Sequence, residues 1–284
     1  MKRFTNFLQE EYEELVEKLI TFGNRAYPKF GTVVIMAGGA GSGKGFVKKN
    51  LVGVEGFTFD VDAIKELALK ADGLNAKVKQ ELGTDLSKLN LTNPDDVAKV
   101  HEIIGDYLKI DDKRLEAMYR SIISASPDRK PNMIFDVTLK NLVKLDKLTR
   151  AVKNLGYDSE NIHIVWVVND IEVAKKQNLN PKRGRVVPVE ILVNTHRGVS
   201  QTMMDLINMG KKIKTYLDGD IVFAFNKVDV DSTVSKSERG GSYIIDANYF
   251  YIKRAGKDIL SLKDIGDNIR SKIASYVPKN VDWT

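Results

Sequence analysis

The run Gly38-Gly39-Ala40-Gly41-Ser42-Gly43-Lys44-Gly45 carries the strongest chemical signal in this sequence. It fits G-x-x-x-x-G-K. In that pattern glycines let backbone N–H groups turn inward around phosphate oxygens, and the lysine reaches the β- and γ-phosphates. The apolar run Thr32 to Ala37 before it reads as a buried strand, and the residues after it, through Val47 and Leu51, as a helix. The motif requires this context, because a helix N-terminus adds partial positive charge where the phosphates sit. Phosphate contacts are expected from Gly38, Gly39, Ala40, Gly41, Ser42, Gly43, Lys44, Gly45 and Phe46. Gly45 stands where a Ser or Thr usually offers Mg²⁺ a hydroxyl, so Mg²⁺ is expected with weaker direct protein ligation.

Acids close two further apolar runs. Phe59-Asp60-Val61-Asp62 ends the second, and in open α/β sheets ligands bind beyond the C-terminal ends of strands. Alternation along an extended segment would point both acids to the same side. A carboxylate there can accept the proton of an attacking hydroxyl, with Asp62 the first choice and Asp60 the second. The competing reading is a helix cap at Asp62, before Ala63-Ile64-Lys65-Glu66. Ile134-Phe135-Asp136 ends the third run and places Asp136 near Mg²⁺ or its waters, or else as another cap. Arg183 and Arg185 lie between prolines at 181 and 188, in a segment (178–190) that reads as a mobile lid. Such arginines can close over a nucleotide and stabilise spreading negative charge, and the alternative is a solvated basic loop.

These residues need a scaffold of alternating strands and helices. Apolar runs at 32–37, 56–59, 133–135, 162–168 and 221–225 are separated by helical patterns. The expectation is a P-loop NTPase fold, three layers α/β/α with a mostly parallel sheet. Residues 63–130 read almost wholly helical, as an insertion, with Asn93-Pro94-Asp95-Asp96 a good helix start. Residues 5–23 read as an amphipathic helix, 229–242 as a polar mobile segment, and 243–245 and 249–252 as strands. Ser261 to Asp264 resembles a cap before a last helix to about Tyr276. The expected organisation is a single domain over 1–284. It comprises an N-terminal helix in 1–31, a core over 32–228 with its insertion and lid, and a C-terminal extension over 229–284.

The ordered set GGAGSGKG, FDVD, IFDVT, VWVVND and PKRGR resembles the P-loop kinases that phosphorylate hydroxyl groups. The similarity is greatest to zeta-toxin-like kinases and related kinases of bacteriophages, and it covers residues 32 to 228. The resemblance implies ATP and Mg²⁺ as cofactors, Lys44 on the phosphates, Asp62 as the base, and Arg183 and Arg185 in the lid. It implies γ-phosphate transfer to a hydroxyl without choosing the acceptor, and the acceptor expected first is a nucleotide, sugar-nucleotide or other metabolite. The alternative acceptor is a DNA or RNA hydroxyl, at a 5′ end or on a hydroxymethylated pyrimidine. A glycine after the loop lysine is similarly familiar from adenylate-kinase-like enzymes.

Composition sets the outer bounds. Of 284 residues, 43% are hydrophobic and 29% charged, which excludes disordered and collagenous chains. Cys is absent, which excludes thiolate nucleophiles and Cys-zinc sites. No apolar run approaches the ~20 residues of a membrane span, and Met1-Lys2-Arg3-Phe4 lacks a signal peptide's apolar core. The expected location is the cytoplasm, that of a host for a phage-encoded chain. A formal charge of +6 suits an anionic partner. Asn226-Lys227-Val228-Asp229 matches the N-K-x-D guanine motif and raises a second class, a GTP-binding switch or non-catalytic P-loop protein. Against it, Asp136-Val-Thr-Leu139 lacks the glycine of D-x-x-G. The lysines and arginine of 140–153 read as the solvated face of an amphipathic helix, and no metal site is assigned to His101, His163 or His196.

Overall fold

Val33, Ile35 and Ala37 of strand β1 (Val33–Ala37) pack into one apolar cluster, and Val34 and Met36 into another. Successive side chains of a strand point to opposite faces, so this division means that β1 is covered on both. The computed structural model describes residues 20–25, 28–180, 185–236 and 242–284. After β1 come helix α1 (Lys44–Asn50), strand β2 (Phe57–Asp60) and helices α2 (Val61–Leu69), α3 (Asp72–Leu82), α4 (Pro94–Val100) and α5 (Ile110–Ile123). Strand β3 (Met133–Asp136), helix α6 (Leu142–Asn154), strand β4 (Ile162–Val168) and helices α7 (Ile171–Asn178) and α8 (Val189–Met209) follow. The chain ends with strands β5 (Ile221–Phe225), β6 (Ser232–Lys236), β7 (Ser242–Ala247) and β8 (Tyr249–Lys253), then helices α9 (Leu262–Ile265) and α10 (Asp267–Tyr276).

The main sheet has the order β2-β3-β1-β4-β5-β8. Its first five strands are parallel, and β8 runs antiparallel to β5. This is the expected α/β P-loop fold with a mostly parallel sheet. Sitting between β3 and β4, β1 delivers the phosphate loop to the middle of the sheet's C-terminal edge. The helices between β2 and β3 carry their own apolar cluster, built on Val78, Leu86, Val100, Ile103, Ile104 and Leu108. Asn93 caps α4 by accepting from Asp95 N, as its sequence suggests. No described helix is long and apolar enough to cross a membrane.

Four expectations change. Most of the helix expected over 5–23 lies outside the described residues. Its end is not helical, because Ile20 bridges to Val52 and Phe22 to Arg25. The segment 229–242, expected to be mobile, instead supplies β6, which pairs antiparallel with β7. The last helix is split at Gly266, whose φ of 79° breaks it after the Ser261–Asp264 capping box. The extended run expected through Asp62 ends early, because α2 begins at Val61.

Candidate active site

Asn226, Asn169, Thr195 and His196 hold the phosphate loop from outside. At the end of β5, Asn226 Nδ2 donates to Ser42 O (2.9 Å), and Asn169, beyond β4, adds a longer bond to the same carbonyl (3.4 Å). From α8, Thr195 Oγ1 accepts from Ala40 N (3.1 Å) and His196 Nε2 donates to Ala40 O (2.9 Å). Burial pushes the His196 imidazole down to about 4, assisted by the Lys44 charge and opposed by the bond to Ala40, so the ring is neutral. The fit is close. A Cβ on Gly39 would lie 2.1 Å from the His196 ring, and one on Gly43 2.0 Å from Asn226 Nδ2. Gly43 also needs its left-handed φ of 88° to start α1. Beside Gly38, Ser42 Oγ is buried without a hydrogen-bond partner among the described residues, and this donor fits a phosphate oxygen.

Lys44 Nζ donates to Gly38 O (3.1 Å) and lies 3.8 Å from Asp136 Oδ1, while Lys48 Nζ is 3.4 Å from Asp136 Oδ2. Burial pushes the Asp136 carboxyl up, Lys44 and Lys48 oppose it, and Asp60, its register partner on β2, adds to the rise. A divalent cation would relieve that burden, so Asp136 fits magnesium held through water. Among the described residues no group of three or more His, Cys, Asp or Glu could hold a metal.

The two acids after β2 part company. Asp60 Oδ1 accepts from Asp62 N (2.9 Å) and Ala63 N (3.2 Å), so Asp60 is the N-cap of α2. It lines a separate groove with Phe57 and Arg114, away from the loop lysine. The expectation that both acids face one side therefore fails at the first residue of α2. Asp62, in the first turn, faces Lys44 across a cavity of about 720 Å³. Both its carboxylate oxygens accept from the Arg185 guanidinium. Burial pushes the Asp62 carboxyl up, but Arg185, Lys44 and Lys65 outweigh it and hold the group below the usual range. The Arg185 backbone is fixed by its neighbours: Val186 N donates to Leu91 O (2.8 Å), and Asn178 exchanges two hydrogen bonds with Val187. Arg183 lies outside the described residues.

The cavity runs from the loop into the helical insertion. Lys65 Nζ donates to His101 Nδ1 (2.7 Å), which places the imidazole proton on Nε2. Burial lowers the pKa of both groups, and the Asp111 and Asp62 charges oppose that for Lys65. Asp111, in the first turn of α5, has Oδ1 buried without a hydrogen-bond partner among the described residues, and burial pushes its carboxyl up. Lys140 and Lys144 line the same space and make no ion pair among the described residues.

Sequence reading missed several of these residues. Lys144, expected on a solvated face, is half-buried and turned to the cavity; Lys147 pairs with Asp112 at the cavity's exposed rim, and Arg150 pairs with Asp146 on the outside. The signal was present: Lys140 and Lys144 follow directly on β3 and Asp136. Asn226 and Lys227 of N-K-x-D are engaged with the protein itself, Asn226 on Ser42 and Lys227 Nζ on Asp170 (2.8 Å). His196 has no ligand spacing because its role is to hold a backbone carbonyl.

No family model and no curated protein matches the sequence. Solved structures of similar shape include the AvrRxo1-ORF1:-ORF2 complex with ATP, 13% identical over 89% of this chain, with a TM-score of 0.45. This chain spans 65% of that chain's length. They include a structure from the PezAT chromosomal toxin–antitoxin system of Streptococcus pneumoniae, 14% identical over 78% of this chain and 76% of that one, TM-score 0.41. A gluconokinase from Sinorhizobium meliloti 1021 is 13% identical over 62% of this chain and 75% of its own, TM-score 0.27. The chemistry of the site rests on this chain's own side chains.

Proposed function

We propose that this chain is an ATP-dependent phosphotransferase that moves the γ-phosphate to a hydroxyl of a small acceptor: a nucleotide, sugar-nucleotide or other metabolite. The observation that carries this reading is that Lys44 and Asp62 open into one cavity, which continues into the helical insertion. The loop backbone and Lys44 would hold the phosphates, and Asp62 would accept the acceptor's hydroxyl proton. The acceptor oxygen forms its bond to the γ-phosphorus as the bond to the bridging oxygen breaks, and ADP leaves with that electron pair. Magnesium, held through water near Asp136, would neutralise charge on the phosphates. Arg185 would add positive charge at the transferred group. Val186 and Leu91 join the C-terminal part of the 178–190 segment to the insertion, which favours a small acceptor over a polynucleotide.

The test is transfer of label from γ-labelled ATP to a panel of hydroxyl-bearing metabolites and to oligonucleotides. Label is expected on a small molecule, and Asp62→Ala is expected to slow transfer by roughly 10²–10⁴-fold. Equal rates for wild type and Asp62→Ala would remove the base assignment. Label on oligonucleotides would move the acceptor to nucleic acid, and a preference for GTP without transfer would favour a switch.

A further inference from the structure

The Asp62–Arg185 pair poses a problem for the reaction just described. A general base needs a lone pair basic enough to take the proton of the incoming hydroxyl. The Arg185 fork takes one lone pair on each carboxylate oxygen and leaves the remaining ones less basic, and such two-point pairs are among the stronger hydrogen-bonded contacts. The pair is asymmetrically placed, with the Asp62 side chain 53% exposed and that of Arg185 only 16%. Arg185 therefore lies within the cavity wall and Asp62 at its open side. Lys44 and Lys65 are the other charges acting on Asp62, from the loop and from its own helix. Both Arg185 and Lys44 line the space where a terminal phosphate on Lys44 would sit. The backbone of 186–187 is tied to Leu91 and Asn178, so the guanidinium can change partner by side-chain rotation alone.

We propose that Arg185 is a nucleotide-responsive latch on Asp62. Without nucleotide it grips the carboxylate; a terminal phosphate held by Lys44 draws it away and frees the carboxylate for the acceptor's hydroxyl. This rests on the phosphotransferase reading. Phosphate carries more charge than a carboxylate and offers the fork the same two-point geometry, so the exchange of partners is favourable. The consequence is an order of events: nucleotide first, then an acceptor-competent base. Water or acceptor arriving without nucleotide meets a carboxylate held by the guanidinium and too weakly basic to take its proton. Arg185 is in this sense a positioning residue before transfer and a phosphate ligand during it.

The experiment is a double-mutant cycle on the affinity of a non-hydrolysable ATP analogue with Mg²⁺. It uses wild type, Asp62→Ala, Arg185→Ala and the double variant of the full chain. Removing Asp62 ends the competition for Arg185, so Asp62→Ala is expected to bind the analogue about fivefold tighter or more. In the Arg185→Ala background the same change is expected to alter affinity by less than about twofold. Equal gains in both backgrounds would mean simple repulsion between carboxylate and phosphates and would overturn the latch, as would no gain at all. Asp62→Asn repeats the test with a side chain of the same shape, should the alanine variants fold poorly. In wild type, ¹⁵N guanidinium resonances of Arg185 are expected to shift on adding the analogue, and unchanged resonances at saturation would also overturn the latch. A wild-type chain that binds no nucleotide would overturn the phosphotransferase reading and the latch together, whereas tight binding with an additive cycle removes the latch alone.

Discussion

The two ends of the cavity are built by opposite rules. At the phosphate loop, side chains from the ends of β4 and β5 and from α8 grip two backbone carbonyls and one N–H. At the insertion, among the described residues, Lys140 and Lys144 carry charge without an ion pair and Asp111 keeps a buried oxygen without a hydrogen-bond partner. On the function proposed, the difference follows from what each end would recognise. Phosphates are read by backbone N–H groups, whose directions are useful only if the loop is fixed beforehand. An acceptor is read by side chains, and polar atoms already satisfied within the protein have less to offer it. Rigid bracing at one end and unspent polarity at the other are therefore parts of one design.

The largest way to break this comparison is to put a methyl group into the braced loop. Gly43→Ala combines a left-handed φ of 88° with a Cβ 2.0 Å from Asn226 Nδ2. Strain and overpacking together should cost roughly 2–5 kcal/mol and abolish nucleotide binding. Gly45→Ala, two residues on, meets nothing within 4 Å and lies in the first turn of α1. It should leave the fold intact or stabilise it by up to about 1 kcal/mol. Denaturant unfolding and nucleotide titration of the pair measure the contrast. A Gly43→Ala chain that binds nucleotide like wild type would show that the loop is not rigidly held.

Acid offers a second, smaller probe of the bracing. His196 titrates at about 4 in the folded chain, against about 6.5 unfolded. Between those values the unfolded chain binds more protons, so stability rises with pH there. The neutral ring's contribution is complete above about pH 6.5 and is lost as pH falls toward 4, an amount of about 3 kcal/mol. His196→Gln keeps an N–H for the Ala40 carbonyl and has no charge to acquire. The stability difference between wild type and His196→Gln should therefore slope across this window and be flat above it. A flat difference at all pH values would mean that the ring is not buried against the loop.

Legibility in the sequence follows the same division. GGAGSGKG reads from sequence because a phosphate cradle is a local backbone problem, with its glycines, lysine, strand and helix adjacent in the chain. The buried strands read well for the same reason, and Ile162–Val168 and Ile221–Phe225 match their apolar runs residue for residue. The bracing did not read, because Asn226 and His196 meet the loop from 184 and 156 residues away along the chain. Asp60 and Asp62 were separable only once the start of α2 was known, since a shift of one residue between strand and helix decides which acid caps and which faces the cavity. Lys144 was misread because a lysine on an amphipathic helix is solvated unless another element, here the insertion, covers it.

The gentlest probe sits at the proposed acceptor end and should move stability in the opposite direction from the loop variants. Burial raises the Asp111 carboxyl above its ordinary value, so the folded chain holds that proton more tightly than the unfolded chain. Its ionised form is accordingly a cost to folding at neutral pH, a cost that is absent below the unfolded value of about 3.9. Asp111→Asn removes the charge with little change of shape and should stabilise the ligand-free chain at pH 7 by about 1 kcal/mol or less. The gain should shrink toward zero as pH falls to about 4, where wild type is protonated as well. Transfer activity should suffer in the same variant, through KM for the acceptor more than through nucleotide affinity, because among the described residues no hydrogen bond or ion pair joins Asp111 to the phosphate loop. A loss of stability at pH 7 would mean that Asp111 already has the partner it needs within the protein. The acceptor end would then be as internally satisfied as the phosphate loop.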